Sequence, residues 1–122
     1  MKNIVKAFKA LSDDTRLRIM NILMQRECCV CEVIQALDIS QTRASRNLTI
    51  LHDTGFLKMR KDGLWSLYSI DNKAMEKNFP GLLDSLSRQL SDSDGKDIDR
   101  QRLAAAVRTG LGCCIKKKIS LV

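Results

Sequence analysis

The 122-residue sequence lacks the patterns that identify several large classes of protein. No apolar run approaches the roughly 20 residues that a membrane-spanning helix needs, and there are no internal repeats or low-complexity tracts. The sequence also has no glycine-rich phosphate loop, no H-E-x-x-H zinc motif and no C-x₅-R phosphatase motif. These absences argue against a membrane protein and against three classes of enzyme.

The cysteine distribution is also unlike that of a disulfide-linked protein. The five cysteines are an odd number, clustered at Cys28, Cys29 and Cys31 and again at Cys113 and Cys114. A structural disulfide framework normally uses an even and dispersed set. The N-terminal sequence MKNIVKAFKAL interrupts its apolar residues with lysines and is not typical of a signal peptide. We therefore expect a cytoplasmic protein whose thiols are ligands or sensors.

Positive charge is concentrated in one part of the chain. The formal net charge is +7, but only its placement can distinguish a solubilising surface from a nucleic-acid interface. Residues 43–61 contain five basic side chains and one acidic side chain, Asp53, whereas residues 92–99 contain four aspartates. The basic segment is therefore the candidate for contact with a polyanion.

Residues 28–55 contain two short helical patterns separated by a turn. Val33 and Leu37 mark the apolar face of the first, and Leu48 and Leu51 that of the second, whose other face is basic and polar. This arrangement predicts a helix-turn-helix, in which the second helix, the recognition helix, enters the DNA major groove. The residues expected to contact DNA from this helix are Gln41, Thr42, Arg43, Ser45, Arg46 and Asn47.

The next segment, residues 56–70, predicts two strands around the turn Lys61-Asp62-Gly63. Asp-Gly between two extended runs is a strong hairpin signal. A basic hairpin that follows a recognition helix is a wing, and we expect Arg60 and Lys61 on it to contact the DNA backbone.

Further helical patterns lie at both ends of the chain, and their apolar surface exceeds what so small a core can cover. We therefore expect a homodimer. The predicted fold class is mainly α with a small β-hairpin wing, a dimeric winged helix-turn-helix. Residues 1–90 are expected to form the DNA-binding and dimerisation domain, and residues 91–122 a linker, a C-terminal helix and a tail with the cysteine pair. Arg16 and Arg18 in the second helical pattern are expected to be solvated.

Three motifs in order carry a resemblance to a known family. The runs LSDDTRLRIMNIL, ECCVCEV and SQTRASRNLTILHDTGFLKMRKDGLWSLYSI resemble the ArsR/SmtB family of winged-helix metal-sensing repressors over about residues 5–71. The resemblance implies a homodimer that binds operator double-stranded DNA and contacts no membrane. ECCVCE resembles the ELCVCDL box of the arsenic-responsive branch. This implies that Cys29 and Cys31 bind trivalent arsenic or antimony as effector, with no organic cofactor.

The sequence departs from the family pattern at several positions. In the arsenic box a third cysteine often lies three residues after the second, but Ile34 occupies that position here, and Cys28 instead lies beside the pair. Either Cys28, the nearer in sequence, or the Cys113–Cys114 pair is expected to supply a third sulfur. Asn47 replaces the histidine of the family's SRHL motif, and an asparagine can still bond an adenine edge or a phosphate.

The expected chemistry is that of soft metalloids with sulfur. Trivalent arsenic and antimony suit three thiolates, and sulfur ligands likewise select Cu(I), zinc or cadmium. A helix N-terminus favours the thiolate form of Cys29 and Cys31. Residues i and i+2 do not face each other on a regular helix, so joint ligation needs an irregular first turn, which would couple effector binding to DNA release. His52 is the sole histidine, so the family's histidine-rich zinc site on the helix after the wing is not expected.

Two other interpretations compete with this one. Cys28 to Cys31 has the C-x-x-C spacing of thiol oxidoreductases, but those enzymes place the motif after a strand in a βαβ unit, and a helical pattern precedes it here. We therefore do not expect an enzyme. A redox or persulfide sensor with the same fold stays open, although a disulfide between near-adjacent cysteines is strained.

Overall fold

A computed structural model describes residues 2–91 and 96–109 of the chain. In chain order its elements are α1 (Lys2–Leu11), α2 (Asp14–Leu23), β1 (Cys28–Cys29), α3 (Val30–Leu37), α4 (Gln41–Thr54), β2 (Leu57–Asp62), β3 (Trp65–Ile70), α5 (Asn72–Asn78), α6 (Leu82–Ser91) and α7 (Lys96–Ala105). A mainly helical chain with one small antiparallel sheet confirms the predicted winged helix-turn-helix. Each described helix is too short or too polar to cross a bilayer. Cys113 and Cys114 lie outside the described residues.

The helix-turn-helix is formed by α3 and α4. Asp38, with φ of 55°, ends α3, and the Ser40 hydroxyl accepts a hydrogen bond of 3.1 Å from the Arg43 N–H to begin α4. Gly55, with φ of 94°, ends α4 in the left-handed conformation that favours glycine. The apolar positions predicted for the two helices, Val33, Leu37, Leu48 and Leu51, are buried in the core.

The sheet has the order β1-β3-β2, and its hairpin is the predicted wing. Lys61 and Asp62 belong to β2, so the loop is Gly63-Leu64 and starts two residues later than the sequence suggests. The sequence did not predict β1, because two residues are too short to show a period. This strand pairs Cys28 with Tyr68 and Cys29 with Leu67, which ties the cysteines to the wing.

Helix α7 packs against α2 and α3, with Leu103 buried. Arg18 donates two hydrogen bonds to the buried Asp99 carboxylate, of 3.0 and 2.9 Å, and a third to the Leu37 carbonyl. Arg16 donates to the Asn47 side chain at 2.9 Å and to the Ala10 carbonyl. The expectation that both arginines are solvated was therefore wrong, since each holds neighbouring helices together.

The side chain of Phe56 provides a test of this core. It is fully buried after α4 and meets the ring of Phe79 edge-on at 5.5 Å between centroids. We expect Phe56→Ala to lower the free energy of unfolding by about 3–5 kcal/mol, because it leaves a cavity and removes an aromatic contact. Leu64→Ala, at a position 62% exposed on the wing loop, should cost less than about 1 kcal/mol. Urea unfolding at a fixed protein concentration measures both, and equal losses would contradict the packing.

Candidate thiol site and DNA interface

Five of the six residues predicted to contact DNA from the recognition helix are accessible on α4. Thr42, Arg43 and Arg46 are exposed, and Gln41 and Ser45 are half-buried. Arg43 also donates to the Thr15 hydroxyl at 2.8 Å, which orients its guanidinium beside the N-terminus of α4. The accessible face therefore combines cationic and hydrogen-bonding groups in the N-terminal half of α4.

Asn47 departs from the prediction, because it is only 6% exposed. Its side-chain oxygen accepts from Arg16 at 2.9 Å, and its amide donates to the Arg43 carbonyl at 2.9 Å. Asn47 therefore fastens the recognition helix to α2 and does not lie on the exposed face. Its spacing of three residues from Ala44 and four from Leu51 puts it on the apolar face, a signal the sequence already contained.

The two basic wing residues, Arg60 and Lys61, are exposed but already have partners. Lys61 donates to the Ser66 hydroxyl at 2.7 Å. Arg60 forms a two-pronged pair with Glu27, Nε to Oε2 at 2.8 Å and Nη2 to Oε1 at 2.7 Å. The hydrogen bond from Arg60 lowers the pKa of Glu27 below its ordinary value. No local pattern predicts this pair, because it joins positions 33 residues apart.

The three described cysteines divide between two environments. Successive residues of a strand face opposite sides, so Cys28 and Cys29 of β1 point apart. Cys28 lies in the main core, whereas Cys29 and Cys31 pack together with Leu67 in a second buried cluster, in which Cys31 is only 7% exposed. The structure therefore brings together the two cysteines that match the arsenic box.

Cys28 is poorly placed to join that pair. Its sulfur lies 3.5 Å from the Arg26 carbonyl, and burial raises the pKa of its thiol to about 12. Among residues 2–91 and 96–109, no group of three or more histidine, cysteine or acidic side chains is arranged to hold a metal ion. The expected convergence of Cys28, Cys29 and Cys31 does not occur, since Cys28 belongs to one buried cluster and the other two cysteines to a second.

The first turn of α3 has the irregular geometry that joint ligation requires. Cys29 is the N-cap residue and is extended, with φ of −83° and ψ of 170°, and the helix begins at Val30. Cys31 therefore lies in the first turn and Cys29 outside it. The i, i+2 spacing that would separate two thiols on a regular helix does not apply here.

The carboxylate of Glu32 holds this turn in place. It accepts hydrogen bonds from the Cys29 N–H at 2.9 Å, from Arg26 Nη1 at 2.7 Å and from Arg108 Nε at 3.0 Å, although it is only 3% exposed. Burial would raise the pKa of Glu32, but these three bonds outweigh it, and the pKa is lowered. The sequence offered one usable signal, since a glutamate three residues after an N-cap is a capping-box position.

The segment after α7 crosses over the cysteine cluster. Val107 exchanges two hydrogen bonds with the Gln35 side chain, of 2.8 and 3.1 Å, and its carbonyl oxygen lies 3.9 Å from the Cys31 sulfur. Trp65, which flanks the cluster, donates to the Thr109 carbonyl at 3.4 Å. Cys113 follows Thr109 by four residues, a span of at most about 14 Å. The chain therefore leaves the described structure beside the two clustered thiols.

Comparison with known proteins places residues 13–59 in a described family. These residues match the model for "Bacterial regulatory protein, arsR family". The arsenical resistance operon repressor of Escherichia coli K12 is 32% identical over 109 residues, covering 77% of this chain and 93% of that protein. The CadC homolog of Staphylococcus aureus is named a cadmium resistance transcriptional regulatory protein. It is 40% identical over 76 residues, and the match covers 62% of this chain and 63% of that protein.

Solved structures show the same fold. HlyU from Vibrio cholerae superposes with a TM-score of 0.63 at 24% identity, covering 75% of this chain and 95% of that chain. A homodimeric winged helix-turn-helix DNA-binding domain from Mycobacterium bovis, described as a possible ArsR-family transcriptional regulator, has a TM-score of 0.62 at 26% identity. The match covers 77% of this chain and 82% of that chain.

The lowered pKa of Glu32 predicts a pH-dependent stability. Its ionised form stabilises the fold fully above the ordinary glutamate pKa of about 4.3, and this contribution is lost as the pH falls through the lower folded-state value. Glu32→Gln should therefore cost about 1–2 kcal/mol at pH 7. The difference from the wild type should shrink below about pH 4. Urea unfolding across pH measures this, with the exposed Glu76→Gln on α5 as control. A constant difference at all pH values would refute the role given to the carboxylate.

Proposed function

The chain belongs to the arsR family of bacterial regulatory proteins, and we propose that it is a cytoplasmic homodimeric repressor that leaves its operator when trivalent arsenic or antimony binds its thiols. Family membership bears out both the resemblance and the prediction that the chain is not an enzyme, since the relatives are named as repressors and regulators of transcription. The observation that carries the proposal is the shared buried cluster of Cys29 and Cys31 at the start of α3.

The recognition helix supplies the DNA contacts in this proposal. Gln41 and Thr42 at its N-terminus are suited to base edges, and Arg43, Ser45 and Arg46 to bases or phosphates. Asn47 holds the helix in position from its buried side. Arg60 and Lys61 on the wing extend the cationic surface to the flanking backbone. A two-fold dimer would present two such helices to half-sites about 34 Å apart.

Dimerisation is supported by the apolar surface of α1. Ile4, Val5 and Phe8 are exposed there. Large apolar side chains that cluster on a surface usually mark a place that another molecule covers. The ends of α5 and α6 lie next to this surface, where Phe79 and Leu82 line the same depression as Ile4 and Phe8. The homodimeric domain from Mycobacterium bovis has the same fold. We therefore assign α1 and the adjoining ends of α5 and α6 to the dimer interface.

The proposed effector site consists of Cys29, Cys31 and one sulfur of the tail. Trivalent arsenic and antimony form up to three bonds to thiolate sulfur. Cys29 and Cys31 already share one cluster, and Val107 and Thr109, near the end of the described chain, lie beside it. We assign the third sulfur to Cys113 or Cys114, because Cys28 faces the opposite side of β1. The choice between these two tail cysteines is left to experiment.

Release follows from the position of the two clustered thiols. Cys29 belongs to β1, which is paired with the wing strand β3, and Cys31 belongs to the first turn of α3. Drawing their sulfurs together moves the start of α3, whose carboxylate Glu32 also holds the segment at Arg108. Because α3 packs on α4, this movement changes the orientation of the recognition helix relative to its dimer mate.

The arginines of α4 provide the test of DNA binding. Arg43→Ala and Arg46→Ala should each cost about 1–3 kcal/mol of operator binding free energy if the side chain contacts a guanine. The logarithm of the wild-type affinity should fall steeply with the logarithm of salt concentration, because several phosphates are neutralised. Fluorescence anisotropy measures both, with Lys77→Ala on α5 as a control that also removes one positive charge. An unchanged affinity in the double arginine variant would contradict the assignment of α4.

The thiol assignment is tested separately. Cys29→Ser and Cys31→Ser should each bind operator normally but lose release by trivalent arsenic, because ligation and DNA contact use different residues. Cys28→Ser should still respond, and the Cys113→Ser and Cys114→Ser double variant should respond only at higher arsenic concentration. Normal release of the Cys29 and Cys31 variants would refute the site. Release of the wild type by peroxide or persulfide and not by arsenic would favour the redox-sensing alternative.

A further inference from the structure

The ion pair between Glu27 and Arg60 joins the loop before the thiol strand to the DNA-binding wing. Both carboxylate oxygens of Glu27 accept from the guanidinium, at 2.7 and 2.8 Å. Arg60 lies on β2 with its side chain 59% exposed, and Glu27 immediately precedes β1. The pair thus connects two segments that the proposed function assigns to different tasks, effector sensing and contact with the DNA backbone.

The strand register places this pair next to the thiol cluster. Leu67 of β3 is opposite Cys29 on one side and opposite Arg60 on the other. Directly opposed residues of a sheet project from the same face, so the three side chains form one row across it. Leu67 is buried with Cys29 and Cys31, and Arg60 lies two strands away, a distance of about 10 Å.

We propose that Glu27 competes with an operator phosphate for Arg60 and thereby transmits the state of the thiol strand to the wing. The inference rests on the proposed function. The guanidinium fork of an arginine matches a carboxylate and a phosphate with the same two-pronged geometry, so it cannot engage both in this way at once. An exposed ion pair is weak, so a phosphate can displace Glu27 without disturbing the fold.

The competition lowers operator affinity when the thiols bind arsenic, in agreement with the proposed release from DNA. Glu27 is two residues from Cys29 and directly precedes β1, which is paired with β3. Ligation draws the start of α3 toward Cys29 while β1 stays paired with β3, so Glu27 keeps its position and Arg60 stays paired with its carboxylate and is withheld from DNA. When no metalloid is bound, the loop can release Arg60 to a phosphate. The pair therefore lowers operator affinity most in the ligated state.

A double-mutant cycle tests the competition. Operator binding is measured by fluorescence anisotropy for Glu27→Gln, Arg60→Gln and the double variant, with Glu76→Gln on α5 as a control for the same change in charge. Glu27→Gln should bind roughly two- to fivefold more tightly, the range that an exposed ion pair corresponds to, and more tightly than Glu76→Gln. This gain should disappear in the Arg60→Gln background. A gain no larger than that of Glu76→Gln, or one that persists without Arg60, would overturn the proposal.

Measurements with trivalent arsenic test the transmission. Glu27→Gln should bind arsenic as the wild type does, judged by sulfur–arsenic absorbance. When arsenic is added, however, its operator affinity should fall by a smaller factor than that of the wild type. If the factor equals that of the wild type, the link between thiol strand and wing is wrong while the repressor function stands. If the wild type fails to bind operator or to respond to arsenic, both the proposed function and this inference are wrong.

Discussion

The buried carboxylate of Glu32 is the constraint on which the region around Cys29 and Cys31 depends. Three donors from three segments converge on it, from Arg26 after α2, from the Cys29 N–H before α3 and from Arg108 after α7. A buried charge is tolerated only when its bonds are satisfied, so these segments must keep their relative positions. The carboxylate thereby fixes Cys29 just outside the first turn of α3 and Cys31 within it. Any movement of the two sulfurs toward one centre disturbs this arrangement.

The sheet extends that constraint to the DNA-binding surface. Because β1 pairs with β3 and β3 with β2, Cys29, Leu67 and Arg60 form one continuous row. Helix α3 connects the same turn to the recognition helix α4, against which it packs. The thiol pair is therefore connected to the wing through the sheet and to α4 through packing, two routes that begin at the same turn.

The sequence predicted those features that repeat along the chain or depend on a few neighbouring residues. The spacing of apolar residues predicted α3 and α4, and Gly55 predicted the end of α4. The Asp-Gly step predicted the position of the hairpin to within two residues. The same period could have shown that Asn47 is buried. Long-range pairings left no such signal: Arg18 with Asp99, Arg60 with Glu27 and Arg108 with Glu32 join positions that only the folded chain brings together. The two-residue strand β1, which separates Cys28 from Cys29, was too short to predict.

The central claim is that sulfur ligation at α3 and loss of DNA are one event. The most direct measurement titrates the repressor–operator complex with trivalent arsenic while recording sulfur–arsenic absorbance and DNA anisotropy in the same sample. The account predicts that both signals change together and saturate at the same ratio of arsenic to protein. Saturation of the sulfur–arsenic absorbance while the operator stays bound, or release without that absorbance, would contradict it.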